Sequence, residues 1–151
     1  MAKIQSIARI SIMLGSATLL FFGLLHLHGT FFSTDLAPAD QELLVRLKSS
    51  HIQMDKTGNL WKLWIGFNAM FSVGLIFIGA INLYLAARKN QLFPSLQFIS
   101  LLTVVSNAFF VWVGYQYMIA DFAISMVIPL SLFVIGFAFN QYQHMKQNKI
   151  S

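Results

Sequence analysis

Four long apolar runs, separated by short charged breaks, dominate the chain: Ile10–Phe32, Trp61–Leu85, Leu96–Met118 and Phe122–Asn140. Apart from Lys62, one residue inside the second run, they contain no Asp, Glu, Lys or Arg. Each holds about 19–25 residues, enough at about 1.5 Å per residue to cross a hydrocarbon core of about 30 Å. Backbone polar groups in lipid must pair internally, and runs this long without period-two alternation form helices, not barrel strands. The pattern predicts an all-α, membrane-spanning antiparallel four-helix bundle, one four-span domain over residues 1–151.

The segment Ser33–Leu60 has a pattern of its own. Pro38 suits a first helical turn, and Asp40 and Glu42 put negative charge near its positive end. Leu43, Leu44, Leu47, His51 and Met54 recur at spacings of three and four, with Arg46 and Lys48 off that stripe. A short amphipathic helix lying on the outer end of the bundle is expected. Thr57-Gly58-Asn59 ends it, and Trp61 and Trp64 open the next span at headgroup level. The link Ala86–Ser95 is brief and basic, with Pro94 barring helix continuation, and the link around Asp121 is shorter still. No internal repeat is evident, which removes support for an inverted-repeat transporter.

Composition strengthens the membrane reading: 57% of residues are hydrophobic and 10% charged, against roughly 25% charged in an average soluble domain. Cysteine is absent, which excludes disulfides, thiolate metal sites and cysteine nucleophiles. The net charge of +5 does not point to nucleic acid, because the bases flank the spans and form no patch. Lys3, Arg9, Arg88, Lys89, Lys146 and Lys149 fall on one side of a four-span chain. Asp35, Asp40, Glu42, Asp55 and Asp121 fall on the other, with Arg46, Lys48 and Lys56 reducing the contrast without reversing it. The positive-inside rule then places both termini in the cytoplasm. The first run is too long for a cleaved signal peptide and no A-x-A-like site follows it, so a retained anchor is expected.

Membrane helices pack through small and polar residues, and these mark the inward faces. The first span offers Ser11, Gly15, Thr18, Phe22, His26 and Thr30; the second, Trp61, Asn68, Ser72, Gly79 and Asn82. The third offers Ser100, Thr103, Asn107, Gly114 and Tyr117; the fourth, Ser125, Pro129, Gly136 and Asn140. His26 and Asn68 lie at similar depth, about 9 and about 10 Å from the outer ends of their spans. With Gln116, Tyr117 and His51 they form a candidate ligand-binding cluster near the outer end. His28 projects about 200° away from His26 around the helix, so the pair cannot share a metal, and no metal site is expected. His28 suits an interfacial position, His144 a solvated tail, and Asn107 an interhelical hydrogen bond.

Several chemistries find no support in these residues. The spans hold no carboxylate for proton coupling, and the last three hold no histidine for a bis-histidine haem. No H-E-x-x-H, G-x-S-x-G or phosphate-binding glycine loop occurs. No cofactor can be assigned. The stretch from His26 through Phe31-Phe32 and the outer segment to Leu63-Trp64-Ile65-Gly66-Phe67-Asn68 resembles an uncharacterised bacterial family of small four-span integral membrane proteins. The resemblance covers about the first 90 residues. It implies a bacterial inner-membrane setting and no particular activity. Two functions are carried forward. One is a membrane protein that binds a lipid-like ligand or a partner protein at the outer end of its bundle. The other is a membrane enzyme performing acid–base chemistry on a lipid or isoprenoid, with His26 as the catalytic candidate, since histidine suits proton transfer near neutral pH.

Overall fold

A computed structural model describes residues 2–88 and 93–148, without the side chains of 2–3, 93–96 and 147–148. Lys89 and Lys149, and the side chain of Lys3, lie outside the described residues, as do residues 89–92 of the link Ala86–Ser95. The described residues form five helices: α1 (Ala2–Phe32), α2 (Gln41–Ser49), α3 (Leu60–Ala87), α4 (Phe93–Tyr117) and α5 (Ala120–Asn148). Four of them are long and apolar enough to cross a membrane, over Ile4–Phe32, Leu60–Ala87, Gln97–Tyr117 and Ala120–Lys146. The helices run past the apolar stretches because helix propensity does not stop where hydrophobicity does. Pro94 falls in the first turn of α4, where its missing N–H costs nothing and where it suits a helix start, and α3 has already ended at Ala87.

The buried positions are rich in small polar residues and the exterior is strongly apolar. Buried positions include Ser16, Ser72, Asn82, Thr103 and Asn107, whereas Phe32 is 79% and Phe98 68% exposed. In water such an aromatic exterior would associate; against hydrocarbon it is the solvated face, and small polar residues let backbones approach. The molecule is therefore a multi-pass membrane protein by its helices and by its surface.

The chain divides into two compact units. One takes the described residues of Met1–Leu20 and Phe77–Ser151, the other Phe21–Ile76, and α1 and α3 run through both.

In the first unit α1 lies close against α3 at Gly79, where an added Cβ would stand 2.9 Å from the Ser16 carbonyl oxygen. Only glycine permits that approach. Between α3 and α4, Asn82 Nδ2 donates to Thr103 Oγ1 at 2.9 Å. Asn107 does not form the interhelical bond expected of it. Its Nδ2 donates to Thr103 O on its own helix at 2.9 Å, and its Oδ1 is buried with no partner among the described residues. α4 and α5 are joined through Met118 and Ile119 and pack on each other at Gly114, against Phe122 and Ala123. Arg9, read in the sequence only as a topology marker, donates from Nε to Ala86 O at 2.7 Å and from a terminal nitrogen to Ala87 O at 3.3 Å. It thereby caps the C-terminal carbonyls of α3 with a cation, the charge that this helix end favours.

The inward stripes are buried or half-buried at every position but one. Ser11, Gly15 and Thr30 are buried on α1, as are Ser100, Thr103, Asn107 and Gly114 on α4 and Pro129 and Gly136 on α5. Tyr117, expected on the α4 stripe, is 74% exposed. On α5 the buried face runs through Ala123, Met126, Phe133 and Gln143, with Ser125 only half-buried.

In the second unit Asp40 is the N-cap of α2, its side chain accepting from Glu42 N at 2.8 Å and Leu43 N at 3.3 Å. Pro38 precedes that cap instead of lying inside the helix. An exposed Arg46–Glu42 ion pair follows at the i,i+4 spacing. The helix ends at Ser49, shorter than the stripe suggested, so His51 and Met54 lie beyond it, and none of its residues is buried. The following turn folds on itself: Thr57 N and Oγ1 donate to Asp55 Oδ1 at 2.8 and 2.6 Å. These two bonds, from the Thr57 hydroxyl first, hold the Asp55 carboxyl below its ordinary pKa. Asn59 then caps α3, its side chain accepting from Lys62 N at 2.8 Å. Trp64 Nε1 donates to Leu36 O at 3.0 Å and ties the outer segment to that helix.

Candidate functional site

The site is built from two helix-borne side chains of the second unit. Asn68 on α3 donates from Nδ2 to the carbonyl of Trp64, one turn back, at 2.8 Å. A carbonyl only accepts, so this bond fixes which end of the amide is which. Asn68 Oδ1 is left to face α1, where His26 Nε2 lies 3.1 Å away. Both side chains are half-buried.

The surroundings explain why they meet. Gly23, one turn before His26, brings α1 so near α3 that an added Cβ would sit 2.8 Å from Ile76 Cγ1 and 3.0 Å from Ser72 O. Ser72 donates to Asn68 O at 2.8 Å, and Thr30 donates to His26 O at 2.8 Å, so both hydroxyls are spent on their own helices. Phe71 meets the His26 ring edge to face, with centroids 5.5 Å apart and planes at 88°. Phe71, at i+3 from Asn68, packs on the ring, while Thr30, at i+4 from His26, holds its carbonyl. Their spacing was visible in the sequence, but their role depends on the helix–helix contact.

The chemistry follows from proton positions. Asn68 Oδ1 can only accept, so a neutral His26 ring carries its proton on Nε2, and Nδ1 keeps an in-plane lone pair. A hydroxyl or amide N–H of a bound molecule can donate to that lone pair. The same lone pair can take a proton.

The other candidates stand apart from this pair or in the other unit. His28 is exposed and its ring lies against Phe32, with centroids 5.3 Å apart. His51 is exposed and its Nδ1 donates to Gly58 O at 2.5 Å, holding the turn beyond α2 instead of extending the helix stripe. Gln116 and Tyr117 lie exposed at the end of α4 in the first unit, where Tyr117 meets Trp112 edge-on with centroids 5.9 Å apart. Comparison with protein-family models, with curated proteins and with solved structures gives no match for this chain.

Proposed function

We propose that this chain is an inner-membrane protein of bacterial type whose second unit binds a lipid-like ligand, or a partner protein, through His26. The observation that carries this reading is the His26–Asn68 hydrogen bond, which orients the ring and leaves Nδ1 as an acceptor. Its ligand is a hydroxyl- or amide-bearing apolar molecule, since an apolar environment strengthens a hydrogen bond and an apolar body matches the surrounding helix surface. His51, in the same unit, and Gln116 and Tyr117 are further candidates supported by sequence pattern alone. The four spans are proposed to form one antiparallel bundle with both termini in the cytoplasm, on the strength of charge segregation and short connections.

Native mass spectrometry of the purified full-length protein tests the binding reading. A co-purifying apolar molecule should be present in the wild type and lost in His26→Leu, with thermal unfolding showing the variant still folded. Undiminished retention by that variant ends the proposal.

The second reading is an enzyme that uses His26 as acid–base on a lipid or isoprenoid. The free Nδ1 lone pair of a ring anchored through Nε2 favours it, because a base needs an open site and a fixed orientation. Turnover of a co-purified lipid by the wild type, lost in His26→Leu, distinguishes it from simple binding.

A further inference from the structure

We propose that a recess in the first unit binds a phosphate-type oxyanion, supplied by the headgroup of an anionic phospholipid. The recess has a volume of about 560 Å³ including its open mouth, and Gln5, Arg9, Ile12, Arg88, Ser100 and Asn140 are among its walls. It is distinct from the His26 pair and shares no residue with it.

Two guanidinium groups line this recess without an acid to match them. Arg9 spends two of its five N–H donors on the Ala86 and Ala87 carbonyls, which leaves three for a ligand and fixes the fork in place. The C-terminal dipole of α3 offsets part of its charge. Arg88 lies over the Tyr84 ring, 4.7 Å from its centroid, a contact that orients the cation and leaves it charged. Four of the five acids of the chain, Asp35, Asp40, Glu42 and Asp55, belong to the second unit. The fifth, Asp121, is in the first turn of α5, about 28 Å along that helix from Asn140. Among the described residues neither Arg9 nor Arg88 makes an ion pair.

Charge, donor geometry and wall chemistry then agree on one ligand class. Paired guanidinium groups suit a phosphate oxyanion, which accepts from several N–H groups at once. Ser100, Asn140 and Gln5 add neutral polar groups. Asn82 is polar as well, and Ile12, Leu85 and Ile99 add the apolar wall that the glycerol and upper acyl portion of a lipid require. Basic pockets between membrane helices hold anionic headgroups for this reason.

The test uses the full-length protein in neutral detergent with equimolar phosphatidylglycerol and phosphatidylcholine, read by native mass spectrometry. The wild type should retain phosphatidylglycerol about fivefold over phosphatidylcholine, and Arg88→Gln should abolish most of that preference. Arg88 is exposed, so this variant should keep its unfolding temperature, whereas Arg9→Gln also removes the cap on α3. Lys146→Gln, a base on the last turn of α5 that is not in the recess wall, should leave the preference intact. A second arm titrates inorganic phosphate in detergent free of anionic lipid and follows thermal unfolding. Stabilisation by millimolar phosphate that Arg88→Gln removes, without a lipid preference, keeps the oxyanion site and overturns the lipid source. No response in either arm, or equal loss in Lys146→Gln and Arg88→Gln, overturns the proposal.

Discussion

Asn68 and Asn107 carry the same amide, on helix interiors, and end in different states. Each donates from Nδ2 to a carbonyl one turn back on its own helix. Asn68 Oδ1 then finds His26, while Asn107 Oδ1 is buried without a partner among the described residues. An unsatisfied buried acceptor costs about 1–3 kcal/mol, so Asn107→Leu, which keeps the branched shape, should be neutral or stabilising in thermal unfolding. A clear loss of stability would show that Oδ1 has a partner. For the other amide the expectation is coupling. His26→Leu and Asn68→Leu should be non-additive in a double-mutant cycle by about 0.5 kcal/mol or more, the scale of interhelical hydrogen bonds in membranes. His28→Leu, on an exposed ring, should combine additively with Asn68→Leu.

At the scale of elements, helix contacts are set by glycines that tolerate no substituent and by turns that bind their own side chains. Gly79→Ala would drive a Cβ to 2.9 Å from the Ser16 carbonyl, so α1 and α3 must separate. Gly74 has nothing within 4 Å of its Cβ position, so Gly74→Ala should be neutral or slightly stabilising through helix propensity. A stability difference of about 1–3 kcal/mol between the two alanine variants is expected from overpacking, and equal effects would deny the close contact. The turn after α2 has a pH dependence with a definite sign. The Asp55 pKa is lowered in the folded turn, chiefly by the Thr57 hydroxyl and then by its amide. The contribution of that carboxylate is complete above its unfolded value of about 3.9 and is lost as pH falls through the lower folded value. The Thr57 amide resonance should therefore titrate with a midpoint below about 3.9, and Asp55→Asn should abolish the titration.

For the whole molecule the decisive quantity is the number of crossings. Ser50 follows one apolar helix and Asn148 follows four. Single cysteines placed at these positions, in a chain that has none of its own, should label from opposite sides of the membrane. With positive residues retained on the cytoplasmic face, the Ser50 site is expected outside and the Asn148 site inside. Labelling of both from one side would require an even difference in crossings and would end the four-span reading.

Hydrophobicity and helical period are properties of composition and order, so the four spans, the N-terminal acids of α2 and most inward stripes were legible from the residues. Equal depth and shared phase were enough to bring His26 and Asn68 together, because rigid helices carry phase along their length. Tertiary structure decided what phase cannot express. Whether a polar side chain bonds only its own helix or also its neighbour depends on the distance between axes, which Gly23 and Gly79 set between α1 and α3; Asn107, on α4, bonds only its own helix among the described residues. Beyond Ser49 the chain leaves the helical stripe, with His51 bonded to Gly58 O and Asp55 to Thr57, contacts that the spacing of apolar residues does not express. The basic recess required Arg9, Arg88 and Asn140 to be gathered from three distant parts of the chain, a juxtaposition that no local pattern encodes.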